Sequence, residues 1–86
     1  MIKLFEQYKE YDQVRVWLDE NRVHNYTIND DLTIDVKGSV NIYNNRLSNI
    51  PVKFNKVMGD FMCYKNRLTS LEGCPKYISG WFDCSN

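Results

Sequence analysis

The chain has 86 residues and a mass of 10.3 kDa, with 11 basic and 11 acidic side chains and a formal net charge of zero. This length suits one domain, and the charge balance gives no basic surface of the kind that binds nucleic acid. No apolar run reaches the length of about 18 residues that a membrane helix needs, and the N-terminus lacks the apolar segment of a signal peptide. We therefore expect a single cytoplasmic domain over residues 1–86, with neither a membrane nor a nucleic acid as its partner.

The first predicted element is an amphipathic helix over residues 2–20. Its apolar positions recur at three- and four-residue spacings, and charged or amide side chains fill the other face. The apolar residues are Leu4, Phe5, Tyr8, Tyr11 and Leu18, with Val14, Val16 and Trp17 widening the stripe near the end. Asn21 predicts the end of the helix. Residues 1–31 are expected to form a helical cap and a turn.

The second predicted element is a strand at residues 32–36. Leu32, Ile34 and Val36 alternate with polar residues there, which is typical of a half-buried strand. We expect this strand to lead into the rest of the chain, so that residues 32–86 hold the lead-in strand and a series of repeats.

An internal repeat of 21 residues runs from residue 36 to residue 86. Its aligned columns keep their chemical class: Gly38/Gly59/Gly80, Val40/Phe61/Phe82, Ile42/Cys63/Cys84, Tyr43/Tyr64, Asn45/Asn66 and Leu47/Leu68. Each copy begins with period-two alternation and continues with irregular spacing. This pattern predicts a strand, a sharp corner and a short return path that stacks on the next copy. The asparagines fall at the corner, where an amide can satisfy backbone groups in the bend.

Two copies read Val40-Asn-Ile-Tyr-Asn-Asn45-Arg-Leu-Ser-Asn-Ile50 and Phe61-Met-Cys-Tyr-Lys-Asn66-Arg-Leu-Thr-Ser-Leu71. They resemble the leucine-rich repeat, L-x-L-x-x-N-x-L-x-x-L. The segment from Asn66 to Pro75 is similar to repeats of small bacterial and bacteriophage leucine-rich-repeat-like proteins. The resemblance implies an α+β fold in which a short, right-handed leucine-rich-repeat-like β-solenoid of a little more than two repeats carries the N-terminal helix as its cap.

The cysteines and the histidine of the chain do not predict an active site. Cys63, Cys74 and Cys84 lack C-x-x-C spacing, and His24 lies in the predicted cap. We therefore predict no enzyme activity, no catalytic residue, no metal and no cofactor. Because Cys63 and Cys84 share the inward column of Ile42, both are expected to be buried. Both are also expected to be reduced, because the expected compartment is reducing. A disulfide between them is the alternative, and a zinc site ranks below it.

The strand residues that alternate with the inward columns predict a surface that contacts a protein partner. These candidate binding residues are Tyr43, Asp60, Met62, Tyr64, Trp81 and Asp83. Stacking of Tyr43 on Tyr64 explains part of this surface without a partner, and the two interpretations are compatible. The last predicted strand, residues 80–85, would leave one backbone edge unpaired. We expect either a homo-dimer or a partner protein to dock through residues 80–86, with Trp81 as the main contact.

The functional prediction is a non-catalytic protein-binding module. The resemblance implies a phage-encoded inhibitor of a host defence protein, similar in role to anti-CRISPR proteins and acting in the cytoplasm of the host bacterium. The alternative is a truncated or short structural member of a longer leucine-rich-repeat array.

Overall fold

The chain folds into one helix and seven short strands within residues 2–85, the part that the computed structural model describes; side chains are described for residues 9–85. The elements are α1 (Ile2–Glu20), β1 (Tyr26–Ile28), β2 (Thr33–Val36), β3 (Val40–Asn41), β4 (Lys53–Val57), β5 (Phe61–Met62), β6 (Tyr77–Ile78) and β7 (Phe82–Asp83). The predicted bounds of the helix are confirmed.

Helix α1 packs on the core through the last part of its length. Leu18 is fully buried, and the Trp17 ring meets Phe54 edge to face with 6.4 Å between ring centres. Asn21 ends the helix, and its side-chain amide donates a hydrogen bond of 2.8 Å to the Trp17 carbonyl. Tyr11 and Val16 are each 42% exposed, so the predicted apolar stripe is wrong at both positions. The stripe residues Leu4, Phe5 and Tyr8 lie outside the described side chains.

The strands form two sheets. Residues that lie 21 positions apart in the sequence pair with each other in neighbouring parallel strands. The larger sheet has the order β1-β2-β4-β6, and only β1 runs antiparallel to its neighbour. The smaller sheet has the order β3-β5-β7 and is parallel throughout. Val40 pairs with Phe61, which pairs with Phe82. The prediction that these three residues lie in neighbouring parallel strands is confirmed.

The predicted leucine-rich β-solenoid is wrong. A leucine-rich repeat adds one strand to a single continuous sheet and returns through a helix or a 3₁₀ turn. In this chain the repeats instead contribute strands to two separate sheets, a mixed sheet of four strands and a parallel sheet of three. The mixed sheet begins with an antiparallel pair, and its β2–β4 register shifts between Ile34 and Asp35. The fold is therefore a small α+β arrangement of one helix and two sheets.

The start of the larger sheet also differs from the sequence prediction. The predicted strand 32–36 begins only at Thr33, because Leu32 takes a left-handed conformation with φ of 67°. Asp31 receives hydrogen bonds from the Thr33 amide and hydroxyl, and these bonds lower the pKa of its carboxyl group. The turn that precedes β2 is thus longer than predicted, and β1 is a strand that the periodicity did not reveal.

The core lies between the two sheets. Phe54 of the larger sheet meets Phe61 of the smaller one edge to face, with ring centres 5.2 Å apart. Aliphatic side chains that are less than 2% exposed surround this pair: Leu18, Val23, Ile34, Val36, Val40, Ile42 and Val57. Burial of such side chains supplies most of the free energy that holds a domain of this size together.

The corner after β5 is closed by Asn66, the one buried polar residue among the described side chains. Its amide nitrogen donates to the carbonyls of Ile42 and Cys63, at 2.8 and 3.0 Å. Its oxygen accepts from the amides of Asn45 and Leu47, at 2.9 and 3.1 Å. The structural role predicted for Asn66 is confirmed. Asn45 differs from Asn66, because it is exposed and its side-chain amide donates to the Asn21 side-chain oxygen at 3.2 Å instead of to backbone groups of a corner.

Candidate functional site

The six residues predicted to bind a partner lie on one side of the smaller sheet. They belong to β5 and β7 or lie within two residues of β3, β5 or β7, and they alternate with inward residues such as Ile42, Phe61 and Cys63. Since successive side chains of a strand point to opposite faces, the six share the side away from the core. We call them the outer face: Tyr43, Asp60, Met62, Tyr64, Trp81 and Asp83.

Two tyrosines stack at one end of the outer face. The rings of Tyr43 and Tyr64 are 4.7 Å apart between centres and within 2° of parallel. Their backbones are tied by a hydrogen bond of 2.9 Å from the Asn44 amide to the Tyr64 carbonyl. Tyr43 is 42% exposed, whereas Tyr64 is half-buried. The predicted stacking is confirmed, and it leaves one flat aromatic surface open to solvent.

Trp81 is the most exposed large apolar residue of the described chain, at 76%. Its backbone is nevertheless fixed by two hydrogen bonds to the neighbouring segment. The Trp81 amide donates to the Asp60 carboxylate at 2.8 Å, and its carbonyl accepts from the Phe61 amide at 2.7 Å. The indole is therefore carried on a backbone that the β5 segment holds in place.

Asp60 has a structural role that the sequence pattern did not predict. The Ser39 hydroxyl accepts a hydrogen bond from the Asp60 amide at 3.0 Å, and Asp60 in turn accepts from Trp81. Residues of the column Ser39/Asp60/Trp81 thus link each copy to the next through side chain and backbone. Asp60 therefore positions the Trp81 backbone. The alternation of the sequence placed Asp60 on the correct side but could not reveal this hydrogen bond.

Asp83 supplies the exposed negative charge of the outer face. Its carboxylate accepts hydrogen bonds from the Ser85 amide at 3.0 Å and from the Ser85 hydroxyl at 2.8 Å. These bonds lower the pKa of the Asp83 carboxyl group. Met62 is half-buried and pairs in register with Asp83.

A polar cavity of about 540 Å³ adjoins the outer face at Tyr43. Its lining comes from the end of α1, from the turn after it and from the β3 segment: Glu20, Asn21, Arg22, His24, Asn41, Tyr43 and Asn45. The approach of His24 to Tyr43 was not predictable from their spacing, because the fold brings the two residues together. The cavity offers amide, imidazole and guanidinium groups that can hydrogen-bond polar groups of a bound molecule.

The three cysteines form a cluster at the opposite end of the core from α1. Cys63 and Cys84 are joined by a disulfide, with Cα atoms 4.5 Å apart. The prediction that both are reduced is wrong, because the parallel register brings their Cα atoms within the range that a disulfide spans. Cys63 is buried as predicted and Cys84 is half-buried. Burial raises the pKa of the remaining thiol, Cys74.

Helix α1, the one helix among the described residues, is not long and apolar enough to cross a membrane. Searches for similar proteins found no matching family model, no matching curated protein and no matching solved structure.

Proposed function

We propose that this chain is a non-catalytic protein-binding module that contacts its partner through the outer face and the free edge of β7. The exposure of Trp81 on a fixed backbone is the observation that carries this proposal. Tryptophan is enriched among the residues that dominate binding energy at protein interfaces. A backbone held in place before binding reduces the entropy lost when a partner is engaged.

The edge of β7 supports the same proposal. Within residues 2–85, β7 pairs on one side only, with β5. An unpaired strand edge can accept an extended segment of another protein, whose backbone supplies the hydrogen bonds and whose side chains supply the selectivity. We therefore propose an extended segment of a partner protein as the occupant, with an apolar side chain against Trp81 and a basic side chain near the ionised Asp83.

The narrower partner class rests on the resemblance of residues 66–75 to small bacteriophage proteins. On that basis the partner would be a host defence protein in the bacterial cytoplasm, and the chain would inhibit it. No contact within the molecule selects this partner class over another protein. A plaque assay in a bacterium with an active defence system tests the narrower proposal, because inhibition would restore phage growth in cells that express the chain.

The central experiment compares Trp81→Ala with Tyr77→Ala. Tyr77 is a matched control because it is also aromatic and 53% exposed, but it lies in β6 of the other sheet. A partner captured by the wild-type chain and identified by mass spectrometry would be measured against both variants by calorimetry. We expect Trp81→Ala to weaken binding by about 2 kcal/mol, roughly thirtyfold in Kd, and Tyr77→Ala to leave it unchanged.

Equal binding by the Trp81→Ala variant and the wild type would overturn the proposed surface. Sedimentation of the wild-type chain distinguishes the alternative occupant. If the wild-type chain sediments as a dimer and Trp81→Ala sediments as a monomer, the occupant of this edge is a second copy of the chain and not a partner protein.

A further inference from the structure

All three cysteines of the chain meet at one point of the fold. The sulfur atoms of Cys63, Cys74 and Cys84 all lie within 4.8 Å of one another. They come from three separate segments: the residues after β5, the loop before β6 and the residues after β7. Two of them share a repeat column, but the third does not. The meeting of the three is therefore a feature of the tertiary structure.

The loop that carries Cys74 is held tightly against the earlier copy. Gly73 has a left-handed φ of 91°, and a Cβ atom at this position would lie 2.5 Å from the Val52 carbonyl oxygen. The Gly73 carbonyl accepts a hydrogen bond of 3.0 Å from the Phe54 amide. Only glycine fits this close approach, which directs the following residue to the end of the core where Cys63 and Cys84 lie.

We propose that the three cysteines bind one Zn²⁺ ion when the Cys63–Cys84 disulfide is reduced. Three thiolates are soft ligands of the kind that zinc sites use. Zinc–sulfur distances of about 2.3 Å in a tetrahedral site separate the sulfur atoms by about 3.8 Å. The three sulfur atoms already lie within 4.8 Å of one another, so that reduction and a separation of the Cys63 and Cys84 sulfurs bring the cluster to this spacing. Water takes the fourth position.

The two steps balance without any further reactant. A dithiol reductant transfers two electrons and two protons to the disulfide, which gives the Cys63 and Cys84 thiols and the oxidised dithiol. Zinc then binds three sulfur atoms as thiolates, and their three protons pass to solvent. The bound cation compensates for thiolate charge next to the apolar core, where an isolated thiolate is disfavoured.

The ligand set excludes the histidine of the chain. His24 lines the polar cavity beside Tyr43, at the α1 end of the smaller sheet. The zinc site lies next to Cys84, at the other end of that sheet. A variant at His24 is consequently a control for adventitious metal binding on the surface.

The test uses the full chain, which is reduced with a phosphine in the absence of oxygen. Co²⁺ is the spectroscopic probe and Zn²⁺ is the competitor. We expect one equivalent of Co²⁺ to produce thiolate-to-cobalt charge-transfer absorption, and one equivalent of Zn²⁺ to abolish it. The air-oxidised chain should lack this absorption. Zinc should also raise the unfolding temperature of the reduced chain but not that of the oxidised chain.

Two variants separate the cluster from other metal sites. Cys74→Ser keeps the disulfide partners and removes one ligand from a half-buried position, and we expect its affinity for Zn²⁺ to fall at least tenfold. His24→Asn should bind as the wild type does. Circular dichroism of Cys74→Ser checks that the fold is retained. Absence of thiolate-to-cobalt absorption in the reduced wild type, or undiminished affinity in Cys74→Ser, would overturn the proposal.

Discussion

The two ends of the smaller sheet carry the same sequence pattern but differ in burial. At the α1 end, Val40 and Ile42 are fully buried. At the other end, Phe82 occupies the column of Val40 and is 44% exposed, and Cys84 occupies the column of Ile42 and is half-buried. The pattern therefore determines which side chains face inward. Whether an inward side chain is buried depends on what packs beyond it.

The largest expected effect tests this difference within one column. Phe61→Ala should lower the free energy of unfolding by about 3–5 kcal/mol, because Phe61 is fully buried between Phe54 and Phe82. Phe82→Ala should cost less than half as much, since part of that ring is already in water. Urea unfolding followed by circular dichroism measures both. Equal losses would mean that the two ends are packed alike.

The second test compares the two corners. Asn66→Ala should cost about 2–3 kcal/mol, because four backbone groups lose their hydrogen-bond partner in a buried corner. Asn45→Ala removes an exposed amide and should change stability by no more than about 0.5 kcal/mol. The same urea titration applies. A large loss in Asn45→Ala would show that the first corner depends on its contact with Asn21.

The third test compares the stability loss on alanine substitution at two glycines of one repeat column, Gly80 and Gly38. A Cβ atom at Gly80 would lie 2.9 Å from the Gly59 carbonyl oxygen and would crowd Asp60, which holds Trp81. At Gly38, which occupies the same repeat column, the atom nearest to such a Cβ is a side-chain nitrogen 3.9 Å away, so a side chain there meets no close backbone. We expect Gly80→Ala to cost about 1–2 kcal/mol and Gly38→Ala to cost nothing measurable. Thermal unfolding of the two variants decides this point.

The smallest effect concerns the hydrogen bond that attaches β1 to α1. Burial, together with the hydrogen bond of 2.8 Å to the Asp19 carboxylate, raises the pKa of the Tyr26 hydroxyl. The unfolded chain therefore loses this proton first, and the stabilising contribution of Tyr26 falls as pH rises through the ordinary tyrosine pKa of about 10.

Tyr26→Phe isolates this contribution. The difference in unfolding free energy between the wild type and Tyr26→Phe should shrink between about pH 9 and about pH 11. Urea titrations of both chains at the two pH values measure it. A difference that is constant with pH would show that the hydroxyl does not change protonation differently in the folded and unfolded states.

The fold was predictable from the sequence only in part. The helix bounds and the pairing of Val40, Phe61 and Phe82 followed from periodicity and from the internal repeat. The division of the strands into two sheets did not follow. Strand β6 has only two residues, and its pairing with β4 depends on contacts distant in sequence. A resemblance to leucine-rich repeats therefore gave a correct spacing and a wrong architecture.

The sequence by itself determined which side chains share a face, because alternation and a repeat of 21 residues fix parity and register locally. The six residues of the outer face follow from that rule. The tertiary structure decided the chemistry of particular groups, since it sets distances between segments that no spacing encodes. It places the Asp60 carboxylate where it accepts a hydrogen bond from the Trp81 amide, and it joins Cys63 to Cys84. It also brought Cys74 within 4.8 Å of both sulfur atoms, because the tight approach at Gly73 depends on a carbonyl of the preceding copy.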